Sequence, residues 1–566
     1  MPVNLVLAGI SVFSMAESWF WYFYPTTINM QTVFIQYIFL ILIILALVML
    51  ANKMKIAYPI MLVIGGLLLS FTTVFSNIVI APETVFFIFL PPLLYEAAWQ
   101  TSWKEFWKWR RVIMSFAFPI VIITSCVVAF LSTTIIPGFT LALGFLLGGI
   151  ISPPDAISAT TIMRHVKVPR SHLSIVEGES LLNDASSLIV FRFALVAIVS
   201  GHFSIKEAST NFLLVVIVGV GIGLLVGLFF YGINRLLPTT PSIEIILTFV
   251  APYCMYYAAE HFHFSGVLSV VSGGLFLSSK RQVILSFRSR IEGVNVWSNI
   301  VFVLNGLVFL LIGLELPVIT SQLGDISLGT AIGYGLAITA ILIVTRFLCT
   351  FGAANFTRFI SRYITVADPN PGWKGPVLLG WAGMRGVVSL AMALSIPLFI
   401  SGSEPFPFRN LILFITFIVI LVTLVLQGLT LPWLIRKLKL EDKYSTLSEQ
   451  EQEQLIQKKM ARISLQHLQD NYAEERTKNK HVNNLAERLQ SEINLLQQDF
   501  DPQTTENENN LTAYQRVYLD LLEQQRKLLS TMNRKAEFDE ELIRKYHALV
   551  DLEEFKVREK LLQEIK

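Results

Sequence analysis

Residues Gly148–Ala156 read Gly-Gly-Ile-Ile-Ser-Pro-Pro-Asp-Ala and lie inside an apolar run of helical length, 139–163. Pro153 and Pro154 cannot sit in an unbroken helix, because each lacks an N–H and crowds an earlier carbonyl. The helix therefore breaks there, and in hydrocarbon the freed backbone groups must line a cavity or be buried in protein. Asp155, at the break, can complement the positive N-terminal end of the half-helix that follows. A second candidate break falls in the run 375–400, GWAGMRGVVSLAMALSIP, where Gly380, Gly383 and Gly386 flank Arg385. Interruptions at matching places in two halves of a chain point to inverted structural repeats.

Around these breaks the chain is a bilayer protein. It is 54% hydrophobic and 15% charged, against roughly 45–50% and 25% for a soluble domain. Taking about 20 apolar residues per span of a ~30 Å hydrocarbon layer, we read thirteen candidate transmembrane helices. Their limits are 33–52, 57–72, 83–99, 111–136, 139–163, 173–200, 211–237, 243–260, 264–279, 294–316, 326–353, 375–400 and 409–435. The fold class is thus all-α and polytopic, with broken crossing helices and the repeats in spans one to six and eight to thirteen. Lys and Arg crowd into alternate loops, such as Lys104 to Arg111, Arg164 to Arg170 and Lys280 to Arg290, whereas the opposite loops hold only Lys206 and Arg409. The positive-inside rule puts the first set, and the C-terminal tail, in the cytoplasm.

Three domains result: an apolar and aromatic segment 1–32, a membrane domain 33–438 and a helical tail 439–566. The first carries no Lys or Arg and so lacks the cationic region of a signal peptide. Its apolar stretch ends in the aromatic run Trp19–Pro25, and the segment can lie in the interface or span the membrane. In the tail, Ser448 with Glu451 and Thr512 with Gln515 are capping-box signals for helix starts, and Asp501 to Asn510 reads as a turn. Leu511, Tyr514, Tyr518, Leu521, Leu522, Leu528 and Leu529 form an apolar stripe suited to packing within the tail or on a twin chain. The net charge of +3 is too small to suggest nucleic acid. Cys126, Cys254 and Cys349 sit in apolar runs without metal-ligand spacing, so no disulfide or transition-metal site is expected.

Ionisable residues inside spans are costly and mark function by default. The sixth span contains Glu177-Gly-Glu179-Ser180-Leu-Leu-Asn183-Asp184. Helical spacing puts Ser180 beside Asp184 and Glu179 beside Asn183. Asp184 lies about 11 residues from the cytoplasmic start, ~16 Å deep at ~1.5 Å per residue. That is the depth at which secondary transporters place their substrates. A carboxylate, a hydroxyl and exposed carbonyls are hard oxygen ligands for a small alkali cation, with Na+ at Asp184 and Ser180 as the natural fit. A buried carboxylate must be neutralised, and a proton and a cation can compete to do it. Arg346, deep in the eleventh span, needs a carboxylate, for which Glu179 is the candidate. Glu96 in the third span and Arg192, eight residues after Asp184, are ancillary candidates. Arg192 can instead reach the outer interface by snorkelling, and Glu96 can face an aqueous rim.

At these residues the chain resembles the monovalent cation:proton antiporter-1 family, which includes bacterial sodium/proton exchangers. The resemblance rests on GESLLND (Gly178–Asp184), FFIFLPPLLYEAAW, ISPPDAISAT, FVLNGLVFLLIGLELP and GMRGVVSLA, in order over most of residues 33–435. It implies thirteen helices, a homodimer formed largely through spans one to three and eight to ten, and a mobile core of spans four to six and eleven to thirteen. Asp184 would carry cation and proton in turn, with Asn183 its neighbour, Ser180 a ligand, and Glu179–Arg346 a structural ion pair. Many relatives have Thr-Asp where this chain has Pro154-Asp155, so a hydroxyl is absent from the break. Na+, or Li+ in its place, would exchange for H+ electroneutrally in the cell membrane, with no cofactor and with lipid as surroundings. Potassium/proton exchange on the same scaffold is the nearest rival. An intramembrane aspartyl protease would pair Asp155 with Asp184, but neither lies in a GxGD context. A sensor would need far fewer spans with buried charge. The sequence names no ligand for the tail.

Overall fold

In the computed structural model the described residues are 30–54, 56–72, 82–166, 168–201, 205–321, 323–324, 326–400, 404–440, 449–498, 505–532, 543, 546–547 and 549–556. Residues 1–29, and with them the choice between a spanning and an interfacial N-terminal segment, lie outside them. The described chain is all-helical apart from one isolated bridge between Phe399 and Pro405. It divides between Asp442 and Lys443 into two compact units.

The first unit contains α1 Met30–Met54, α2 Tyr58–Ser70, α3 Pro82–Gln100, α4 Trp103–Ser115, α5 Val121–Ile135, α6 Leu141–Ile151, α7 Ala156–His165, α8 Arg170–Ser200 and α9 Ile205–Leu236. It continues with α10 Pro241–His261, α11 Gly266–Ile284, α12 Phe287–Leu314, α13 Leu316–Ser321, α14 Leu328–Ile360, α15 Lys374–Trp381, α16 Val387–Leu394, α17 Arg409–Val422 and α18 Gly428–Leu438. Among the described residues, eight helices are long and apolar enough to cross a membrane unaided. Other expected spans are shorter, as α2 is, or interrupted, as α15 and α16 are.

Apolar length marks the hydrocarbon part of a helix rather than its ends. Hence α12 begins at Phe287, capped by Ser286 Oγ on Ser289 N, ahead of the apolar run expected from 294. Likewise the fourth span starts at Trp103 in the amphipathic α4. It passes through a π-helical turn, Phe116–Ile120, at Pro119, where the missing donor disrupts regular bonding. A second π-turn, Thr423–Gln427, joins α17 to α18.

By their packing the helices sort into two groups. One gathers α4 to α8 with α14 to α18, and the other α1 to α3 with α9 to α12. The expected breaks fall in the first group. Helix α6 ends at Ile151 and α7 starts at Ala156, with Asp155 as its cap: Oδ1 accepts from Ile157 N at 3.1 Å and Oδ2 from Ser158 Oγ at 3.0 Å. Helix α15 ends at Trp381 and α16 starts at Val387.

The second unit contains α19 Glu449–Asn471, α20 Ala473–Lys478, α21 Lys480–Gln498 and α22 Thr505–Met532. Ala461, Leu465 and Leu468 of α19 pack on Ala486 and Ile493 of α21 as a small core. One expectation fails here. The turn read over Asp501 to Asn510 is helical from Thr505, and Thr512 lies inside α22 instead of starting it. Only the Asp-Pro pair forbids helix locally; Glu506 and Glu508 suit the positive N-terminal end of a helix begun earlier. Of the apolar stripe on α22, Leu522 is buried while Leu521 and Leu528 are exposed.

Candidate ion site at the crossing of two broken helices

The two interruptions meet. Asp155 N donates to Met384 O at 2.7 Å, so the backbone of one break is satisfied by the backbone of the other. Gly386 makes this possible: a Cβ there would overlap the Asp155 carboxyl group, and only glycine allows the approach. Arg385 N donates to Thr423 Oγ1 at 3.1 Å, which ties the second break to the π-turn between α17 and α18.

Helix α8 lays its polar face along the first break. Ser180 Oγ accepts from Ala156 N at 3.2 Å, and Asn183 Nδ2 donates to Pro154 O at 3.2 Å. The free N–H at the start of α7 and a carbonyl of the proline pair are thereby both engaged, as the cost of bare backbone in an apolar interior requires. Asn183 is fully buried, and its Oδ1 has no partner among the described residues. Asp184 is 6% exposed, and no hydrogen-bond donor among the described residues reaches its carboxylate. Asp155 lies within electrostatic reach of it.

A second buried charge group adjoins the first on α8. Arg346 Nη1 and Nη2 donate to Glu179 Oε1 and Oε2 at 2.8 and 3.0 Å, a bidentate pair whose side chains are 3% and 1% exposed. Arg346 Nε donates to Leu379 O at 3.2 Å, near the C-terminal end of α15 where carbonyls lack helical partners. Gly383 lies against the Arg346 side chain, where a Cβ would overlap it. Arg385 is 1% exposed, and its Nε and Nη1 have no partner among the described residues.

The ancillary residues lie elsewhere. Glu96 accepts from Gln100 on its own helix. Arg192 does not snorkel freely: its Nη2 donates to Glu260 Oε1 and Oε2 at 2.7 and 2.6 Å, and Glu260 Oε1 also accepts from Gly266 N at 3.0 Å. This pair joins α8 of the first helix group to α10 and α11 of the second. Sequence reading passed over Glu260, the penultimate residue of α10. It also passed over Thr423, although Thr416, Thr423 and Gln427 share one helical face of an otherwise apolar run and are all buried.

Comparisons with known proteins bear on this arrangement. Residues 38–437 match the family model described as sodium/hydrogen exchanger, transmembrane. A "Sodium, potassium, lithium and rubidium/H(+) antiporter" of Bacillus pumilus is 33% identical over 410 residues, 70% of this chain and 60% of the relative. A similarly named Bacillus subtilis antiporter is 35% identical over 62% of this chain and 53% of its own length, so the match spans only part of both Bacillus proteins. The Na(+)/H(+) antiporter ApNhaP of Aphanothece halophytica is 33% identical over 68% of this chain and 70% of its own. The sodium proton antiporter MjNhaP1 of Methanocaldococcus jannaschii, solved at pH 8, shares the fold, with a TM-score of 0.57 and 17% identity over 72% of this chain and all of that one. With its helical membrane unit, its two broken helices and a family match over most of that unit, the chain belongs to the sodium/hydrogen exchanger family of cation/proton antiporters.

Proposed function

We propose that the chain exchanges sodium for protons across the cell membrane, one for one, with Asp184 holding each in turn. The observation that carries this reading is a carboxylate in the apolar interior, beside the crossing of two broken helices, that no hydrogen-bond donor among the described residues reaches. A bare buried carboxylate is too costly to persist uncompensated, so it takes up whichever small cation the open side offers. Asn183 Oδ1, the remaining acceptor capacity of Ser180 Oγ and carbonyls at the break are oxygen ligands suited to Na+.

A count of charge supports electroneutral exchange. In the site Glu179, Asp155 and Asp184 stand against Arg346 and Arg385, which leaves one negative charge uncompensated. A single Na+ or a single proton closes the balance equally. Asn183, next to Asp184, cannot titrate and adds no second proton. We assign the tail to the cytoplasmic side from the one-sided Lys and Arg loops, and a homodimer from the family resemblance.

Potassium is the second cation to weigh, because the Bacillus relatives are named for sodium, potassium, lithium and rubidium. The deciding experiment is proton efflux from proteoliposomes of the full chain on addition of Na+, Li+ or K+. Movement with Na+ that Asp184→Asn eliminates is the expected result. Equal movement in that variant would remove Asp184 from the mechanism, and a response to K+ alone would replace the substrate.

A further inference from the structure

A cavity of about 280 Å³ lies apart from the ion site, in the second helix group at the end that carries basic loops. Trp99 of α3, Thr248 of α10, Arg281 and Leu285 at the end of α11, and Arg290 and Trp297 of α12 line it. Its walls are fixed. Ser278 Oγ holds Trp99 O at 2.8 Å, and Trp297 Nε1 donates to Thr248 Oγ1 at 2.9 Å. Trp297 also stacks on Phe249 with ring centroids 4.3 Å apart.

The two arginines have no acid to face. Arg290 Nη1 donates to Leu285 O at 2.6 Å and Gln282 O at 3.3 Å, which orients the guanidinium and leaves its other N–H groups for another acceptor. Among the described residues the Arg281 side chain forms no hydrogen bond or ion pair, while its carbonyl accepts from Leu285 N at 3.2 Å. The nearby acids are engaged elsewhere: Glu244 accepts from Ser286 N at 2.8 Å, and Glu292 pairs with Arg288 at 2.6 Å. Two cationic forks thus face one small chamber with tryptophan walls, at the membrane level where tryptophan collects. Beside it α12 exposes Phe287, Ile291 and Val294 on one face, and Val283 is exposed on α11.

We propose that this cavity seats the phosphodiester headgroup of an anionic phospholipid from the leaflet on the basic-loop side, with its acyl chains along Phe287, Ile291 and Val294. Planar guanidinium groups bind phosphate oxygens in pairs. The apolar face beside the chamber distinguishes a lipid from a soluble phosphate, which would gain nothing from it. The ligand braces α3, α10, α11 and α12 against one another, and the ion site takes no part in binding it.

The test uses the full chain purified in detergent, with phosphatidylglycerol, phosphatidylcholine or inorganic phosphate added, read by native mass spectrometry and thermal melting. Phosphatidylglycerol should be retained and should raise the melting temperature, and the other two should not. Arg281→Gln, which breaks no side-chain hydrogen bond or ion pair among the described residues, should weaken phosphatidylglycerol binding roughly fivefold while transport in phosphatidylcholine vesicles stays at the wild-type rate. Arg290→Lys, which keeps a charge but loses the fork, should weaken binding without unfolding the α11–α12 turn. Undiminished lipid protection of both variants would overturn the proposal, as would equal protection by phosphatidylcholine. Protection by inorganic phosphate alone would make the ligand a soluble anion and overturn the lipid assignment.

Discussion

Removing either partner of the Glu179–Arg346 pair should destabilise the membrane unit severely, and removing both should cost less than the sum. The pair is bidentate at 2.8 and 3.0 Å and nearly inaccessible, at 1% and 3% exposure. Breaking such a pair from one side typically costs about 3–5 kcal/mol, because the remaining charge stays buried without compensation. Glu179→Gln leaves Arg346 charged with only Leu379 O and a neutral amide as acceptors. Arg346→Leu strands the Glu179 carboxylate and frees Leu379 O as well, so it should be the worse of the two. In the double variant no charge is left, only the orphaned carbonyl and the lost packing. The coupling should therefore reach about 2–3 kcal/mol, at the upper end of measured double-mutant cycles. Arg346→Lys keeps the charge but replaces a planar fork with a point charge, and should fall between wild type and the singles. The assay is heat-induced loss of the folded peak in detergent, followed by size-exclusion chromatography with fluorescence detection. Strictly additive losses in the cycle, or single variants as stable as wild type, would refute the assignment of the pair to stability.

Further outcomes follow from the site. Asp184→Asn should elute as wild type yet move no protons in response to Na+. Ser180→Ala should keep turnover but raise the half-saturating Na+ concentration, because the cation loses an oxygen ligand, and should lower the melting temperature, because Ala156 N loses its acceptor at a cost of about 1–3 kcal/mol; an unchanged half-saturation would exclude Ser180 from the site. Gly386→Ala should cost about 1–3 kcal/mol by overpacking onto Asp155 and should depress transport. Gly352→Ala, in open space on α14, should stabilise by up to about 1 kcal/mol and leave transport intact, as melting curves and flux would report. With the membrane potential clamped by potassium and valinomycin, the balance point of Na+ against H+ should not move. One uncompensated charge would shift it by about 2.3 kcal/mol per 100 mV.

The first broken helix could be read from sequence only in part from its prolines: Pro91-Pro92 lie inside the continuous helix α3, and what sets Pro153-Pro154 apart is Asp155 immediately after them, which caps a new helix at Ala156. Asp184 could be found because a carboxylate amid apolar residues is conspicuous whatever surrounds it. What could not be read is set by groups distant in the chain. The Leu379 carbonyl that takes Arg346 Nε carries no side-chain signature. Glu260, which claims Arg192, sits at a helix end where an acid is unremarkable. The start of α12 at Phe287 was hidden because a charged turn outside hydrocarbon is helical by capping, a property that apolar length does not report. The start of α22 at Thr505 was hidden because Glu-Asn runs suit turn and helix almost equally.

Glu179 and Arg346 are 167 residues apart in the chain. Synthesis at about 5–20 residues per second separates their emergence from the ribosome by roughly 10–30 s. During that interval the sixth span already holds a carboxylate whose counter-charge does not yet exist. Until Arg346 arrives that acid lacks the bidentate partner it has in the finished fold, and a chain whose synthesis stopped before Arg346 would keep it so. The pair can therefore close only when the second half of the chain has been made, which places this contact late in the assembly of the membrane unit.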